Sequence, residues 1–383
     1  MTSRFIALPV GQGDAFYLQR DDFHILVDGG RSKRNLSGLL TTHIEPLPPQ
    51  LDVVVCTHND ADHANGLLGL LKELPVSIRE VWLPGTWAWR LEDLVTRPYE
   101  FFHELYKNIS ELRDEVETLQ QYYEKYWKRL PLSIQMPETT RIPDHGIDAD
   151  EWLTDVFDRQ DFSWRHWRKY WWFFDLPYPS GRLWLECLDA AHRIRSIAEA
   201  ALNAGARIRL FEFVQSPNMT AGGYRWQLEP VNSREVWPRK EAVSALFFLA
   251  LTKANRESLV FYAPEQIQKN APGVLFTADS DLGCRLNHIQ QPSRSLIATA
   301  PHHGSEANAL AYTVINGWTS PDKVIWVRSD CRNKSRPGDT FKNQPKRLCT
   351  LCNIVQRPKS SVRLHAIRSR WERTRGTRWC TCR

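Results

Sequence analysis

One short segment limits the folds open to this chain more than any other feature. Residues 51–56 read Leu-Asp-Val-Val-Val-Cys, which is typical of a buried strand, and Thr-His-Asn-Asp-Ala-Asp-His follows at once. Two imidazoles and two carboxylates at the end of a buried strand can converge on one point, and both groups are ligands for zinc, manganese and iron. The segment therefore predicts a metal centre at a sheet edge, built from His58, Asp60, Asp62 and His63.

Two later strand ends carry the same kinds of side chain. An apolar run at 273–277 leads into Asp279, and another at 296–298 leads into the pair His302 and His303. Either feature alone is common in turns, but the three strand ends together supply four histidines and three carboxylates. That set is enough for one or two divalent metals, and a pair about 3.5–4 Å apart suits phosphoester hydrolysis. The spacing leaves open which histidine of the pair is a ligand.

The composition excludes several classes of protein. Of the 383 residues, 42% are hydrophobic and 25% are charged, which suits a folded chain with a core and argues against disorder. The longest apolar stretch is too short to span a bilayer, and the first residues lack the pattern of a secretion signal. Eight cysteines are too sparse for a disulfide scaffold. We therefore expect a cytoplasmic protein that does not associate with membranes.

The character of the sequence divides the chain into four segments. Residues 1–87 alternate apolar runs with short turns, 88–205 are helical and rich in tryptophan, 206–330 return to apolar runs, and 331–383 are basic and rich in cysteine. We interpret the helical segment as an insertion between two strand-rich halves. The strands predicted for the second half are 207–214, 245–251, 258–262, 273–277, 296–298 and 323–327.

Within the insertion, apolar residues repeat at spacings of four and three from Leu105 to Leu130, which predicts one long helix. Residues 183–204 predict a second helix. We expect the two to pack over the core, and a dimer or a protein partner bound through the insertion is the alternative. A run of Trp, Arg and Lys at 164–174 can stack on bases, but the apolar filling of the insertion explains it better.

The motifs, taken in order, resemble a known family. The segments are GQGDAFYL, ILVDGG, THNDADHANGL, NRESLVF, VLFTADSD and APHHGS, and their order is that of the metallo-β-lactamase superfamily. They are most similar to the hydrolase domain of ComEC-type bacterial competence proteins. The resemblance covers about 1–85 and 207–330, so the helical insertion and the tail lie outside it.

The resemblance implies an αββα metallo-β-lactamase sandwich with the metal site at one edge. It assigns metal binding to His58, Asp60, Asp62, His63, Asp279 and one of His302 and His303, with Asp279 as the bridging carboxylate. Asp28 would lie behind the site and orient a ligating imidazole. Asp14 and Asn255 also match family positions, but turn and loop roles explain them better. The expected cofactor is zinc or manganese, one or two ions per chain.

One position departs from the family pattern. Competence-type domains usually carry Gly-His-Pro after the next strand, whereas this chain has Arg336 before Pro337. A guanidinium cannot ligate a metal, but it can bind a substrate phosphate through paired hydrogen bonds. We therefore expect Arg336 to contact substrate and to repel a second metal, unless it faces solvent and the alignment is accidental. The expected tight metal is held by Asp62, His63, Asp279 and the histidine pair, and the weak one by His58 and Asp60.

The tail combines positive charge with cysteines. From Lys346 onward there are eleven Lys or Arg residues and one acidic residue, which suits a phosphate backbone, although a solubilising role explains the charge equally well. Two close cysteine pairs suit a structural zinc, and reduced thiols without a metal are the alternative. These cysteines are Cys349, Cys352, Cys380 and Cys382.

These observations together predict a metal-dependent hydrolase that cleaves phosphodiester bonds, with nucleic acid as the first substrate class. A metal-bound hydroxide would attack phosphorus, and Asp62 and His63 would be the catalytic pair, with Asp62 positioning the water. The alternatives are a phosphodiesterase of cyclic or small nucleotides and a lactone, thioester or lactam hydrolase. A binding module with a purely structural metal is a further, less favoured alternative.

Overall fold

Two β-sheets packed face to face form the centre of the protein, and helices cover both outer faces. The computed structural model describes residues 3–112, 115–126, 147–159, 180–283, 286–331, 335–352 and 360–382. The Trp- and Arg-rich run at 164–174 and the end of the heptad repeat at Leu130 lie outside the described residues. The layers form the αββα sandwich that the sequence predicts.

Within the described part of the chain, the first sheet has nine strands and the second has six. The strands of the first are β1 Ser3–Ala7, β2 Phe16–Arg20, β3 Phe23–Val27, β4 Gln50–Val55, β5 Ser77–Pro84, β6 Arg207–Phe213, β8 Ser233–Val236, β14 Val362–Ile367 and β15 Arg370–Arg373. Those of the second are β7 Glu229–Pro230, β9 Phe261–Ala263, β10 Gly273–Phe276, β11 Leu296–Thr299, β12 Val324–Arg328 and β13 Arg347–Cys349. The spatial orders are β15-β14-β1-β2-β3-β4-β5-β6-β8 and β13-β12-β11-β10-β9-β7.

Parallel pairing dominates the middle of both sheets. The strands β3 to β6 run parallel, as do β10 to β13, so each set ends at one edge of its sheet. Aromatic rings join the sheets: Phe5 lies 6.2 Å from Phe276 and Trp82 lies 5.4 Å from Phe261, measured between ring centroids. The facing sides of the two sheets therefore form one buried core.

Ten α-helices lie among the described residues. They are α1 Leu36–His43, α2 Ala61–Glu73, α3 Ala88–Thr96, α4 Pro98–Ser110, α5 Leu119–Tyr126, α6 Ala149–Asp158, α7 Ser180–Asn203, α8 Ala245–Thr252, α9 Ala309–Trp318 and α10 Asp339–Lys342. The first eight share an apolar core with the outer face of the first sheet, and the last two pack on the second. None of the described helices is long and apolar enough to span a membrane.

Residues 245–251 form a helix, so the prediction of a strand there was wrong. Every residue of α8 is buried, and a continuous apolar run of this length does not distinguish a buried strand from a buried helix. The hydroxyl of Ser244 accepts a hydrogen bond from the backbone N–H of Phe247 at 3.3 Å. This N-cap satisfies a donor that a helix start leaves open, and it is the local signal that favours the helix.

The single long helix predicted from Leu105 was also wrong, because the chain leaves helical geometry after Ser110 and α5 begins only at Leu119. The break lets both α4 and α5 pack on α8. The apolar stripe is buried within this chain, with Leu105 and Leu119 both 0% exposed. The packing of the stripe over the core is therefore as expected, and the second helix, at α7, is confirmed.

The basic, Cys-rich segment is built into both sheets rather than extending as a tail. The strand β13 pairs with β12 of the second sheet, whereas β14 pairs with β1 of the first and with β15. Removing the segment would therefore remove strands from each sheet.

Candidate metal centre

Four strands bring the candidate ligands to one edge of the sandwich. The strands β3 and β4 end just before Asp28 and Thr57, and β10 and β11 end close before Asp279 and His302. Because each pair is parallel, these ends meet at the same edge, where parallel α/β sheets form their binding sites. Asp62 and His63 lie in the first turn of α2.

Each of the four histidines is held through Nδ1 and turns Nε2 toward the centre. The Nδ1 partners are Thr57 Oγ1 for His58 at 3.0 Å, Asp28 Oδ2 for His63 at 2.8 Å, Asn308 Oδ1 for His302 at 3.1 Å, and Asp14 Oδ1 for His303 at 3.1 Å. Such contacts fix the orientation of an imidazole and leave the other nitrogen free to ligate.

Asp279 lies between two groups of donors. Its Oδ1 is 3.0 Å from Nε2 of His63 and 3.8 Å from Nε2 of His303. We call the group of His63, His303, Asp62 and Asp279 Oδ1 the His63 lobe; within it the two imidazole Nε2 atoms are 3.1 Å apart.

The second group is the His58 lobe, which consists of His58, Asp60, His302 and Asp279 Oδ2. That oxygen lies 3.6 Å from Nε2 of both His58 and His302. Asp60 Oδ2 is 3.8 Å from Nε2 of His58. Nε2 of His302 and Nε2 of His303 therefore both face Asp279, one in each lobe.

The donor set fits divalent cations. The buried Nε2 of His58 and Oδ1 of Asp279 have no hydrogen-bond partner among the described residues. The potential ligand atoms form two groups, and within each group all of them lie within 4.8 Å of one another. One group is Asp14, His63, Asp279 and His303, and the other is His58, Asp60 and Asp279. Imidazole nitrogen with carboxylate oxygen suits zinc and manganese.

The carboxylates set the charge of the cluster. Burial opposes a proton on His63, yet Asp279 and Asp28 raise its pKa well above the usual value. Burial also opposes a proton on His303, but Asp14 and Asp279 raise the pKa of that imidazole to about 10. Protons thus balance the carboxylate charge here, and a bound cation would replace them.

Close backbone approaches explain the glycines beside the site. A Cβ at Gly13 would lie 1.7 Å from the carbonyl oxygen of Asp62, and Gly13 has φ +102°. A Cβ at Gly66 would lie 1.8 Å from the carbonyl oxygen of Gly29. These contacts bring the Asp14 loop and α2 together, and the backbone N–H of Asp14 donates to the carbonyl of Asp62 at 3.1 Å.

The turn that presents the histidine pair is strained. His302 and His303 have φ 45° and 55°, in the left-handed region that side chains with a Cβ seldom adopt. The buried guanidinium of Arg328 holds it by donating from Nε to the carbonyl of His303 at 2.6 Å and from NH2 to Asp330 at 2.8 Å.

Arg336 faces the site, so the alternative in which it faces solvent was wrong. Its guanidinium lies 4.0 Å from Asp62 Oδ2 and 3.7 Å from Asp330 Oδ2, and its side chain is 11% exposed. Arg336 was expected to repel the second metal, near His58 and Asp60. Its guanidinium borders the His63 lobe instead. Arg336 is therefore not the cation beside the His58 lobe.

A lysine that no sequence motif singles out stands beside that lobe instead. Lys253, directly after α8, places Nζ 3.0 Å from Asp60 Oδ1 and also pairs with Glu186 of α7. Arg193 of α7 donates from NH2 to the carbonyl of Asn59 at 2.9 Å. Helix α7 therefore holds the loop between His58 and α2 in place.

Asp14 is the site residue that the sequence undervalued. It is 1% exposed, and its Oδ1 forms an ion-pair contact with Nδ1 of His303 at 3.1 Å, whereas Asp28 accepts a hydrogen bond from His63 at 2.8 Å. The usable signal was the Gly-Gln-Gly-Asp turn, whose glycine permits the approach to α2. Asn255 begins a 3-10 turn and its carbonyl accepts from Ser258, which agrees with a loop role.

Comparison with known proteins agrees with this geometry. Residues 8–168 match the family model described as Metallo-beta-lactamase superfamily. A search of curated proteins found no match to the chain. The matched range includes Asp14, Asp28 and the whole His58 to His63 segment, whereas Asp279 and the histidine pair lie beyond it. The fold, the matched family and the donor cluster together indicate a metal-dependent hydrolase, and the closer resemblance to competence proteins stays a prediction.

Proposed function

We propose that this protein hydrolyses phosphodiester bonds, with nucleic acid as the substrate class. The observation that carries the proposal is the division of the donors into two lobes that share the Asp279 carboxylate. Divalent cations held by these residues would supply charge stabilisation to the attacking and leaving oxygens of an in-line displacement at phosphorus. In the overall reaction water oxygen bonds to phosphorus, one bridging P–O bond breaks, and the leaving oxygen takes a proton.

The residues that would hold the metals differ between the lobes. His63, His303, Asp62 and Asp279 would bind the tighter ion, because two buried carboxylates orient both imidazoles. His58, Asp60, His302 and Asp279 would bind the weaker ion, since Lys253 competes for Asp60 at 3.0 Å. Zinc and manganese suit both sets. When bound, such metals lower the pKa of water and polarise a phosphoryl oxygen.

In this proposal two side chains would act on substrate. Asp62 is the most exposed group of the His63 lobe, at 15% of its side chain. Burial alone would raise the pKa of Asp62, but His303 and His63 lower that pKa. The carboxylate therefore stays an acceptor that can orient a water molecule. Arg336 lies beside it and can donate paired hydrogen bonds to a phosphate oxygen.

Arginines near the metal edge support a polyanionic substrate. Ala7 is the last residue of β1, from which the chain continues toward Asp14, and it pairs with Val362 at the start of β14. Arg373, at the end of β15, pairs with Leu364 of β14. The C-terminal end of β15 therefore lies on the metal side of the sheet, with the exposed Arg375 and Arg378 just beyond it. The β14–β15 turn, with the exposed Arg368, lies at the opposite end.

Trp379 adds an apolar surface to this end of the sheet. It is 42% exposed, and the guanidinium of Arg373 lies 3.9 Å from the centroid of its ring. An exposed indole next to basic side chains suits stacking with a base.

The test is a substrate panel run with metal-free protein and with added zinc or manganese. Single-stranded DNA, RNA, cyclic nucleotides and a chromogenic lactam are compared, with Asp279→Asn as the inactive control. Metal-dependent cleavage of nucleic acid supports the proposal. Cleavage of cyclic nucleotides alone, of the lactam alone, or of none of them contradicts it.

Charge reversal tests the arginines without removing strands. Arg375→Glu with Arg378→Glu should weaken binding of single-stranded nucleic acid and reduce the salt slope by about 0.7 for each phosphate that the protein no longer neutralises. Arg368→Glu with Arg370→Glu is the matched control, since it makes the same change in charge at the other end of the hairpin. Equal effects of the two pairs would show that the metal edge is not where nucleic acid binds.

A further inference from the structure

We propose that Cys349, Cys352, Cys380 and Cys382 bind a structural zinc ion that fastens the last strands of the chain to the second sheet. The proposal does not depend on the proposed function. The four cysteines come from two places in the sequence, and their sulfurs lie within 4.8 Å of one another. Four thiolates in two closely spaced pairs are a common ligand set for structural zinc.

The sulfur separations fit one tetrahedral ion. With Zn–S bonds of about 2.3 Å, the sulfurs of a tetrahedral site lie about 3.8 Å apart. The separations are 3.7 Å for Cys349 with Cys382, 3.7 Å for Cys352 with Cys380, and 3.2 Å for Cys352 with Cys382. A disulfide needs about 2.05 Å, and all four cysteines are free thiols.

Backbone donors point at three of the sulfurs. The N–H of Cys352 donates to Sγ of Cys349 at 3.1 Å, that of Thr381 to Sγ of Cys352 at 3.4 Å, and that of Cys382 to Sγ of Cys380 at 3.5 Å. Donors of this kind favour the charged thiolate over the thiol, and the thiolate is the form that binds metal.

The place of the cluster in the fold assigns its role. Cys349 ends β13, and the N–H of Cys380 donates to the carbonyl of Arg347 at 2.8 Å, which aligns the end of the chain with that edge strand. Between the two cysteine pairs the chain crosses to the first sheet and forms β14 and β15. A metal bound by both cysteine pairs would link the two ends of the segment that contains β14 and β15. This link and the pairing with β1 would both hold β14 in place.

The buried position agrees with a structural role. Cys349 is 0% exposed and Cys380 is 6% exposed. Both belong to the apolar core between the second sheet and the helices α9 and α10. A structural zinc site has four protein ligands and leaves no position for water or substrate.

Zinc content tests the proposal directly. Cys352→Ser and Cys380→Ser should each lose one equivalent of zinc per chain relative to wild type, whereas Cys331→Ser, the neighbouring thiol outside the cluster, should lose none. Asp279→Asn should keep the cysteine-bound zinc, which separates this site from the metal centre. Equal zinc in Cys352→Ser and Cys331→Ser would overturn the proposal.

Two measurements on the wild-type chain keep the test decisive if the serine variants do not fold. Cobalt-substituted protein should show a thiolate-to-cobalt charge-transfer band, and titration of all eight thiols with an organomercurial should release one zinc per chain. Absence of the charge-transfer band, or complete reaction of the thiols without zinc release, would show that the cysteines hold no metal.

Discussion

Replacement of Asp14 by asparagine tests the metal centre through a residue that contacts His303 on the side away from the candidate ligand atoms. Asp14 Oδ1 lies 3.1 Å from Nδ1 of His303, and its side chain is buried. Asparagine keeps the shape of the side chain and removes the negative charge. The imidazole of His303 then loses the nearby negative charge that raises its basicity, and it becomes a poorer ligand.

The size of the effect follows from the surroundings of Asp14. Removal of a group that orients a ligating histidine costs about 10–100-fold in metal affinity, or about 1.4–2.8 kcal/mol. Neither carboxylate oxygen of Asp14 accepts a hydrogen bond from another described residue, and the backbone contact of Asp14 with Asp62 does not depend on the side chain. We therefore expect the change to appear in metal affinity and much less in the free energy of unfolding.

The assay is a competition of metal-free protein with a chromogenic chelator, accompanied by thermal unfolding of the metal-free form. Asp22→Asn is the matched control, because it makes the same chemical change on the exposed β2–β3 turn. If Asp14→Asn binds metal within about twofold of Asp22→Asn, a difference of about 0.4 kcal/mol, Asp14 does not orient a ligand and the reasoning is refuted.

Five further substitutions probe the rest of the site and the fold. Asp62→Ala or His63→Ala should abolish turnover, and more than about a tenth of wild-type activity, a barrier change of ~1.4 kcal/mol, would contradict the assignment. Arg336→Ala should raise the Michaelis constant for phosphodiesters while metal content, measured by elemental analysis, stays unchanged. Lys253→Met should strengthen binding of the second metal by freeing Asp60, and unchanged affinity in a calorimetric titration would argue against it. Ser244→Ala should lower the free energy of unfolding by about 0.5–2 kcal/mol through loss of the α8 N-cap, as denaturant titration can measure.

The sequence was sufficient where chemistry and strand ends coincide. A buried run followed by the His58 to His63 segment placed ligands at the end of β4, and Asp279 and the histidine pair followed β10 and β11 in the same way. Parallel strands bring such ends to one edge, so these side chains converge as expected. Asp14 was undervalued because its role depends on His303, which is almost three hundred positions away and contributes no local pattern.

Packing between distant segments accounts for what the sequence did not predict. The run at 245–251 is apolar on all sides, so no periodicity could separate helix from strand, and only Ser244 favoured a helix. The heptad repeat from Leu105 predicted helical faces correctly but not the break after Ser110, which both helices need in order to contact α8. Lys253 is one lysine among many until α8 brings it to Asp60.

The pairing of β1 with β14 has a consequence for synthesis of the chain. Ala7 meets Val362 in the finished sheet, so the neighbour of β1 on that side leaves the ribosome long after β1 itself. At roughly 5–20 residues per second the delay is about 20–70 s. During that time β1 is an edge strand with unpaired backbone groups, the kind of surface that recruits strands from other chains. The nascent protein is therefore most exposed to aggregation just before its last strands emerge, and a chaperone that covers β1 would protect it over that interval.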